Sequence, residues 1–138
     1  MELRDKVAVI TGGSGGIGKA MATAFLREGT KAVMLADLNE DAVNLAAAEI
    51  GCDGMACDVT DEAQIIALVE ATEAKHGAVD VFCSNAGAGG NGLLTEAENA
   101  VWQQQWELHV MAHLYAARAV LPGMIGRGSG YLMNTASA

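Results

Sequence analysis

A chain of 138 residues with 51% apolar and 18% charged residues is long enough to bury a core in one domain and too apolar for a disordered chain. Its net charge of −9 without a basic cluster argues against a nucleic-acid surface, and no apolar run approaches the length needed to span a bilayer. The three cysteines, Cys52, Cys57 and Cys83, lack C-x-x-C spacing, which argues against a disulfide framework or a structural zinc site.

The charged start, MELRDKV, leads directly into a strand rather than a secretion signal, so reduced, buried thiols in a cytoplasmic protein are the expectation. Short apolar runs of strand length follow at Val7–Thr11, Ala32–Ala36, Gly54–Cys57, Val79–Cys83 and Gly130–Asn134. Helical stretches lie between them at Ile17–Glu28, Glu40–Glu49, Glu62–His76 and Asn99–Leu121. The strands read as continuous apolar runs, the pattern of strands buried on both faces, and alternation with helices implies right-handed βαβ units and a parallel sheet. Gly29 is placed to stop the first helix, Thr60 or Asp61 to cap the third, and Pro122 with Gly123 to stop or kink the fourth. The third helix ends on Lys75, His76 and Gly77, where His76 reads as a surface residue favoured by the helix dipole. A glycine-rich loop, Gly87–Gly92, is expected to be mobile.

The first strand runs into KVAVITGGSGGIG, with five glycines in the seven positions from Gly12 to Gly18. A strand, a glycine turn and a helix start together present backbone N–H groups at the positive end of a helix dipole, where a phosphate sits. Gly13, Gly15 and Gly18 satisfy G-x-G-x-x-G, while Thr11, Gly12, Gly16 and Gly18 satisfy T-G-x-x-x-G-x-G; a plain tight turn is the third reading. Asp37 lies about 20 residues beyond the turn, where a ribose-binding carboxylate belongs.

With T-G-x-x-x-G-x-G, further landmarks follow in order: Cys57-Asp58-Val59-Thr60, Ser84-Asn85-Ala86-Gly87, Ala119 to Met124 and Asn134-Thr135-Ala136-Ser137. The chain thereby resembles the short-chain dehydrogenase/reductase family over nearly its whole length, with Ser in the first place of the family's N-N-A-G motif. The resemblance implies a Rossmann-like doubly wound α/β sheet of about five parallel strands, order 3-2-1-4-5, with helices on both faces. It implies a dinucleotide site from Gly12, Ser14, Gly16, Ile17, Gly18, Asp37, Leu38, Asp58, Val59, Asn85, Ala86 and Gly87. In the family the aspartate at Asp58 meets the adenine; capping of the following helix is the plainer role for it. A carboxylate at Asp37, with Gly13, Ser14 and Leu38 where NADP would call for Arg or Lys, favours NAD over NADP.

The family's catalytic set is Asn, Ser, Tyr and Lys, acting on an alcohol or ketone substrate. Ser137 stands at the serine position, and the asparagine position, seven residues after Trp102, holds His109. The only tyrosines, Tyr115 and Tyr131, are followed four places on by Ala119 and Thr135, so Tyr-x-x-x-Lys is missing. His109 and His113 have the spacing of two metal ligands on a helix, but no third ligand is evident and no metal is expected. The expectation is therefore one dinucleotide-binding domain, 1–138, the N-terminal part of a longer NAD-dependent oxidoreductase, with negligible activity alone. A non-catalytic nucleotide-binding or interaction module is the alternative. In the family the fifth strand is interior and the fourth helix lies at a dimer interface. Here the resemblance implies an exposed edge at Tyr131–Asn134, an incompletely covered face at Trp102, Trp106, Val110 and Leu114, and a homo-oligomer.

Overall fold

Val7 to Thr11 are all buried, and this explains why the first run carries no polar alternation: it is a central strand with a helix layer on each side. In the computed structural model, which describes residues 2–89 and 92–136, this strand, β1 (Val7–Thr11), is followed by α1 (Gly16–Arg27), β2 (Ala32–Asp37) and α2 (Glu40–Ile50). Then come β3 (Asp53–Ala56), α3 (Glu62–His76), β4 (Val81–Ser84), α4 (Asn99–Trp106), a π-helical turn (Glu107–Met111), α5 (Ala112–Arg127) and β5 (Tyr131–Asn134).

The five strands form one parallel sheet in the order β3-β2-β1-β4-β5, a Rossmann-like arrangement. Side-chain parity divides the core. Val9 and Phe82 pack with Ile65, Leu68, Ala116 and Val120 from α3 and α5. Their neighbours Ala8, Ile10, Val81 and Cys83 pack with Ala22, Val43 and Ala47 from α1 and α2. β5 pairs with β4 alone among the described residues and leaves Tyr131 and Met133 exposed, as the resemblance implied for this edge.

The helix ends follow local chemistry. Gly29, at φ +85, lies just beyond α1, and Gly51, at φ +82, ends α2 in the left-handed conformation. Asn39 caps α2 by accepting from the Ala42 N–H at 2.9 Å, and Asp61, rather than Thr60, caps α3 by accepting from the Ala63 N–H at 2.9 Å.

Five sequence expectations are corrected. β3 spans Asp53–Ala56 rather than Gly54–Cys57, because its pairing with β2 begins at Met34 and Asp53. β4 begins at Val81 rather than Val79, because the Asp80 carboxylate takes the Val7 N–H at 3.0 Å in place of a ladder bond. The helix expected to stop or kink at Pro122 does not stop there; it runs on to Arg127 and ends at Gly128, φ +66. Burial explains this: Val120 and Met124, on either side of the proline, both pack into the core, and their burial offsets the proline's missing N–H. The long helix is also interrupted by the π-helical turn, which no local pattern announced. His76, expected at the open surface, pairs through Nε2 with Asp53 at 2.6 Å while Lys75 holds the other carboxylate oxygen at 2.6 Å.

Cys57 and Cys83 are buried and all three cysteines are free. No helix among the described residues is long and apolar enough to cross a membrane. Gly90 and Asn91, within the loop expected to be mobile, and Ser137, expected to contact substrate, lie outside the described residues.

Candidate active site

In a parallel sheet with helices returning on both faces, the C-terminal strand ends open into a crevice where the strand order reverses, here between β1 and β4. A cleft of about 680 Å³ lies there. Every strand end contributes to its wall: Gly12 and Ser14 to Gly18 after β1, Asp37 and Leu38 at β2, Cys57 to Thr60 after β3, Asn85 to Ala88 after β4, and Thr135 after β5. Gln104, Glu107 and Leu108 close the side nearest the π-helical turn.

The glycine turn separates into distinct roles. Gly12 takes φ +65, and a Cβ there would come within 3.0 Å of the Ala86 backbone. A Cβ on Gly18 would collide with the Gly12 carbonyl oxygen, so these two glycines let the turn close on the start of α1. A Cβ on Gly16 would meet nothing within 4 Å; this glycine answers no need of the protein's own packing and lines the cleft. Gly13, outside the T-G-x-x-x-G-x-G register, is needed as well, since its Cβ would lie 2.7 Å from that of Leu35.

Thr11 joins the two central strands. Its hydroxyl accepts from the Asn85 and Ala86 N–H groups, both at 3.0 Å, and donates to the Cys83 carbonyl at 3.4 Å. The Asn85 side chain donates to the Thr11 carbonyl at 3.1 Å and accepts from the Thr135 hydroxyl at 2.9 Å, tying β1, β4 and the end of β5 together. Thr11 was legible as the first letter of the glycine motif, but its service to β4 involves residues more than 70 positions away.

On the other flank the Asp37 Oδ2 accepts from the Ser14 N–H at 3.0 Å and from its hydroxyl at 2.6 Å. Asp58 does not cap α3; its Oδ1 accepts from the N–H and hydroxyl of Thr60, at 2.9 and 2.7 Å, in a tight turn. Ile17 and Leu38 line the cleft with 61% and 73% of their surface exposed, apolar walls that a flat ring would cover. Burial, with the nearby charges of Asp58 and Asp61, pushes the Cys57 thiol up to about 11, which keeps it protonated and inert.

His109 lies on the π-helical turn behind this wall, its Nε2 2.9 Å from the Ala88 carbonyl oxygen. A carbonyl only accepts, so the ring proton sits on Nε2 and Nδ1 is left as an acceptor. A Cβ on Gly87 would lie 2.9 Å from the His109 ring. His113, one turn on, has an Nδ1 that is buried without a partner; burial and then His109 lower its pKa, against a bond to Asn134. No group of three or more metal-ligating side chains occurs among the described residues.

Sequence reading did not single out Cys57, Thr60, Gln104, Glu107, Leu108 or Thr135 as cleft residues. For Gln104, Glu107 and Leu108 the signal was available: they stand at i, i+3 and i+4 on the helix that carries His109.

The family model described as short chain dehydrogenase matches residues 6–138. An uncharacterized oxidoreductase of Staphylococcus saprophyticus is 34% identical over 99% of this chain and 61% of its own length. The 2-(S)-hydroxypropyl-CoM dehydrogenase 3 of Xanthobacter autotrophicus is 36% identical over 98% of this chain and 54% of its own. Among solved structures, a short chain dehydrogenase/reductase of Burkholderia phymatum in complex with NAD superposes with a TM-score of 0.93, at 33% identity, over 99% of this chain and 50% of that one. The chain thus spans between half and about 61% of the length of these proteins.

Proposed function

Since the chain belongs to the short-chain dehydrogenase family, we propose that residues 1–138 form the NAD-binding domain of an oxidoreductase acting on an alcohol or ketone, as its N-terminal part. The observation that carries the choice of NAD is the cleft's charge. Asp37, Asp58 and Glu107 line it, and among the described residues no lysine or arginine does, so a 2′-phosphate would meet carboxylates and no cation. The donor set fits the rest of the dinucleotide: open space at Gly16 admits a pyrophosphate against backbone N–H groups at the start of α1.

In this reading Gly12, Gly16, Ile17 and Gly18 hold the pyrophosphate side. Asp37 and Leu38, with Ser14 bonded to Asp37, hold the ribose, and Asp58 and Val59 the adenine. Asn85, Ala86 and Gly87 lead toward the nicotinamide end, braced by Thr11 and Thr135. Bound NAD supplies the hydride acceptor for an alcohol carbon. Ser137 fixes the substrate oxygen, and His109, with a free Nδ1 acceptor, occupies the relay position of the family's asparagine. The acid/base is not among this chain's residues: Tyr115 packs against the core, Tyr131 lies on β5, and neither lines the cleft. The 138-residue chain by itself is accordingly a nucleotide-binding module without turnover.

The exposed Trp102, Trp106, Val110 and Leu114 support homo-oligomerisation, and the free thiols support a reducing, cytoplasmic setting. Isothermal titration with NAD and NADP tests the proposal. Saturable NAD binding, with NADP at least about tenfold weaker, is expected from one unfavourable charge contact; no binding of NAD at millimolar ligand, or tighter NADP binding, overturns it.

A further inference from the structure

Asp37 is held from several sides. The carbonyl of Ala36, just before it, accepts from the Gly13 N–H at 3.0 Å, and its own carbonyl accepts from the Cys57 N–H at 2.8 Å. Its side chain is held by one residue, Ser14, which spends both of its donors on the same oxygen, Oδ2. Oδ1 has no donor among the described residues, and both Ser14 and Asp37 line the cleft.

This arrangement changes what each group offers a ligand. Ser14 sits within the glycine turn, where a hydroxyl and an N–H would ordinarily serve as phosphate donors. With both turned to Asp37, the hydroxyl presents lone pairs instead of its proton. The pair therefore presents acceptors: Oδ1 of Asp37 and Oγ of Ser14. Two adjacent ribose hydroxyls each bring a proton to such a pair. A 2′-phosphate brings negative charge and no proton to match them.

Resting on the reading of the cleft as an NAD site, we propose that Ser14 is a positioning residue for cofactor choice. Its hydrogen bonds to Asp37 convert this one position of the turn from a phosphate donor into an acceptor of the ribose hydroxyls, leaving the N–H groups at Gly16 to the pyrophosphate. Discrimination against NADP is then a joint property of Ser14 and Asp37 rather than of the carboxylate alone. A change at Asp37 frees both Ser14 donors, and the NADP affinity so gained depends on the Ser14 hydroxyl.

The test is a double-mutant cycle on the 138-residue chain. NAD and NADP affinities are measured by calorimetry for the wild type, Ser14→Ala, Ser14→Thr, Asp37→Ala and the Ser14→Ala/Asp37→Ala pair, each checked for folding by circular dichroism. Ser14→Ala should weaken NAD about 3- to 10-fold, the worth of a hydrogen bond, and narrow the NAD/NADP ratio, while Ser14→Thr, which keeps the hydroxyl, restores both. Asp37→Ala should strengthen NADP, and the double variant should strengthen it less. Additive effects, within a factor of about two, or an unchanged ratio in Ser14→Ala, overturn the role of Ser14 while leaving the NAD site standing. A wild-type chain that binds neither nucleotide overturns the reading of the cleft itself.

Discussion

Thr11 and Asn85 are joined by two hydrogen bonds across the crevice between β1 and β4, from the Asn85 N–H to the Thr11 hydroxyl at 3.0 Å and from the Asn85 side chain to the Thr11 carbonyl at 3.1 Å. The same hydroxyl serves the Ala86 N–H, so one side chain satisfies the backbone of the segment that forms the cleft wall.

Thr11→Val keeps the shape of the side chain and removes that acceptor. Leaving the Asn85 and Ala86 N–H groups unmatched should cost about 1–3 kcal/mol of folding stability. Urea denaturation measures it, and the same variant should bind NAD more weakly because Asn85 to Ala88 lose their anchor. A loss under about 0.5 kcal/mol would show that water replaces the hydroxyl without penalty.

Gly16→Ala and Gly18→Ala should separate ligand binding from folding. At Gly18 the new methyl meets the Gly12 carbonyl oxygen, which cannot swing aside, so stability should fall by about 2 kcal/mol or more. At Gly16 the methyl enters open space at the start of α1, where alanine should raise stability by about 0.5–1 kcal/mol while NAD affinity drops. Thermal melts paired with calorimetry read both effects; NAD affinity unchanged in Gly16→Ala would place the pyrophosphate elsewhere.

Pro122→Ala should stabilise the chain. The helix passes through an exposed proline, and an alanine there supplies the missing N–H without disturbing Val120 or Met124, for a gain of about 1–3 kcal/mol in denaturant titrations. Destabilisation would mean that the proline is needed for the path of α5.

Asp53 gives the fold an acid-sensitive contact. The hydrogen bond from Lys75, then that from His76, lowers its pKa from the ordinary value of 3.8 against the opposing effect of burial. A lowered folded-state pKa contributes stability that is present above pH 3.8 and lost as pH falls through the folded value. Asp53→Asn should therefore flatten the pH dependence of stability in that acid range and cost about 1 kcal/mol near neutrality, as expected of a partly exposed pair. An unchanged acid profile would show that other carboxylates govern it.

The chain alone should bind ADP-ribose within about threefold of NAD and give no alcohol-dependent NADH formation, since the residues proposed for adenine, ribose and pyrophosphate all line the cleft and the tyrosine–lysine pair is missing from the sequence. Absorbance at the reduced-nicotinamide band with mass-verified protein checks it. Sustained turnover would require an acid/base other than the family's.

Much of the fold could be read from local pattern, because each element announced itself within its own residues. The unbroken apolar run Val7–Thr11 marked a strand buried on both faces, and the glycines after it marked the turn onto α1. That Asp37 lines the cleft was legible for the same reason, as it stands at a regular distance from the turn. What misled was the strength assigned to one local signal: Pro122 opposes a helix, but two core residues beside it hold the helix in place. Register errors at β3 and β4 arose where a partner strand or a side chain such as Asp80, rather than the run itself, sets the boundary.

By itself, then, the sequence determined the order of strands and helices, the glycine turn and the acid that follows it, since these depend on spacing along one stretch of chain. Only the tertiary structure decided that Gly16, alone of Gly12, Gly16 and Gly18, faces open space, that the Thr11 hydroxyl carries the backbone of Asn85 and Ala86, and that Ser14 turns both its donors onto Asp37. Those are relations between residues some 20 to 75 positions apart, and hydrogen-bond direction at such range is set by how the strands pair, which no local spacing encodes.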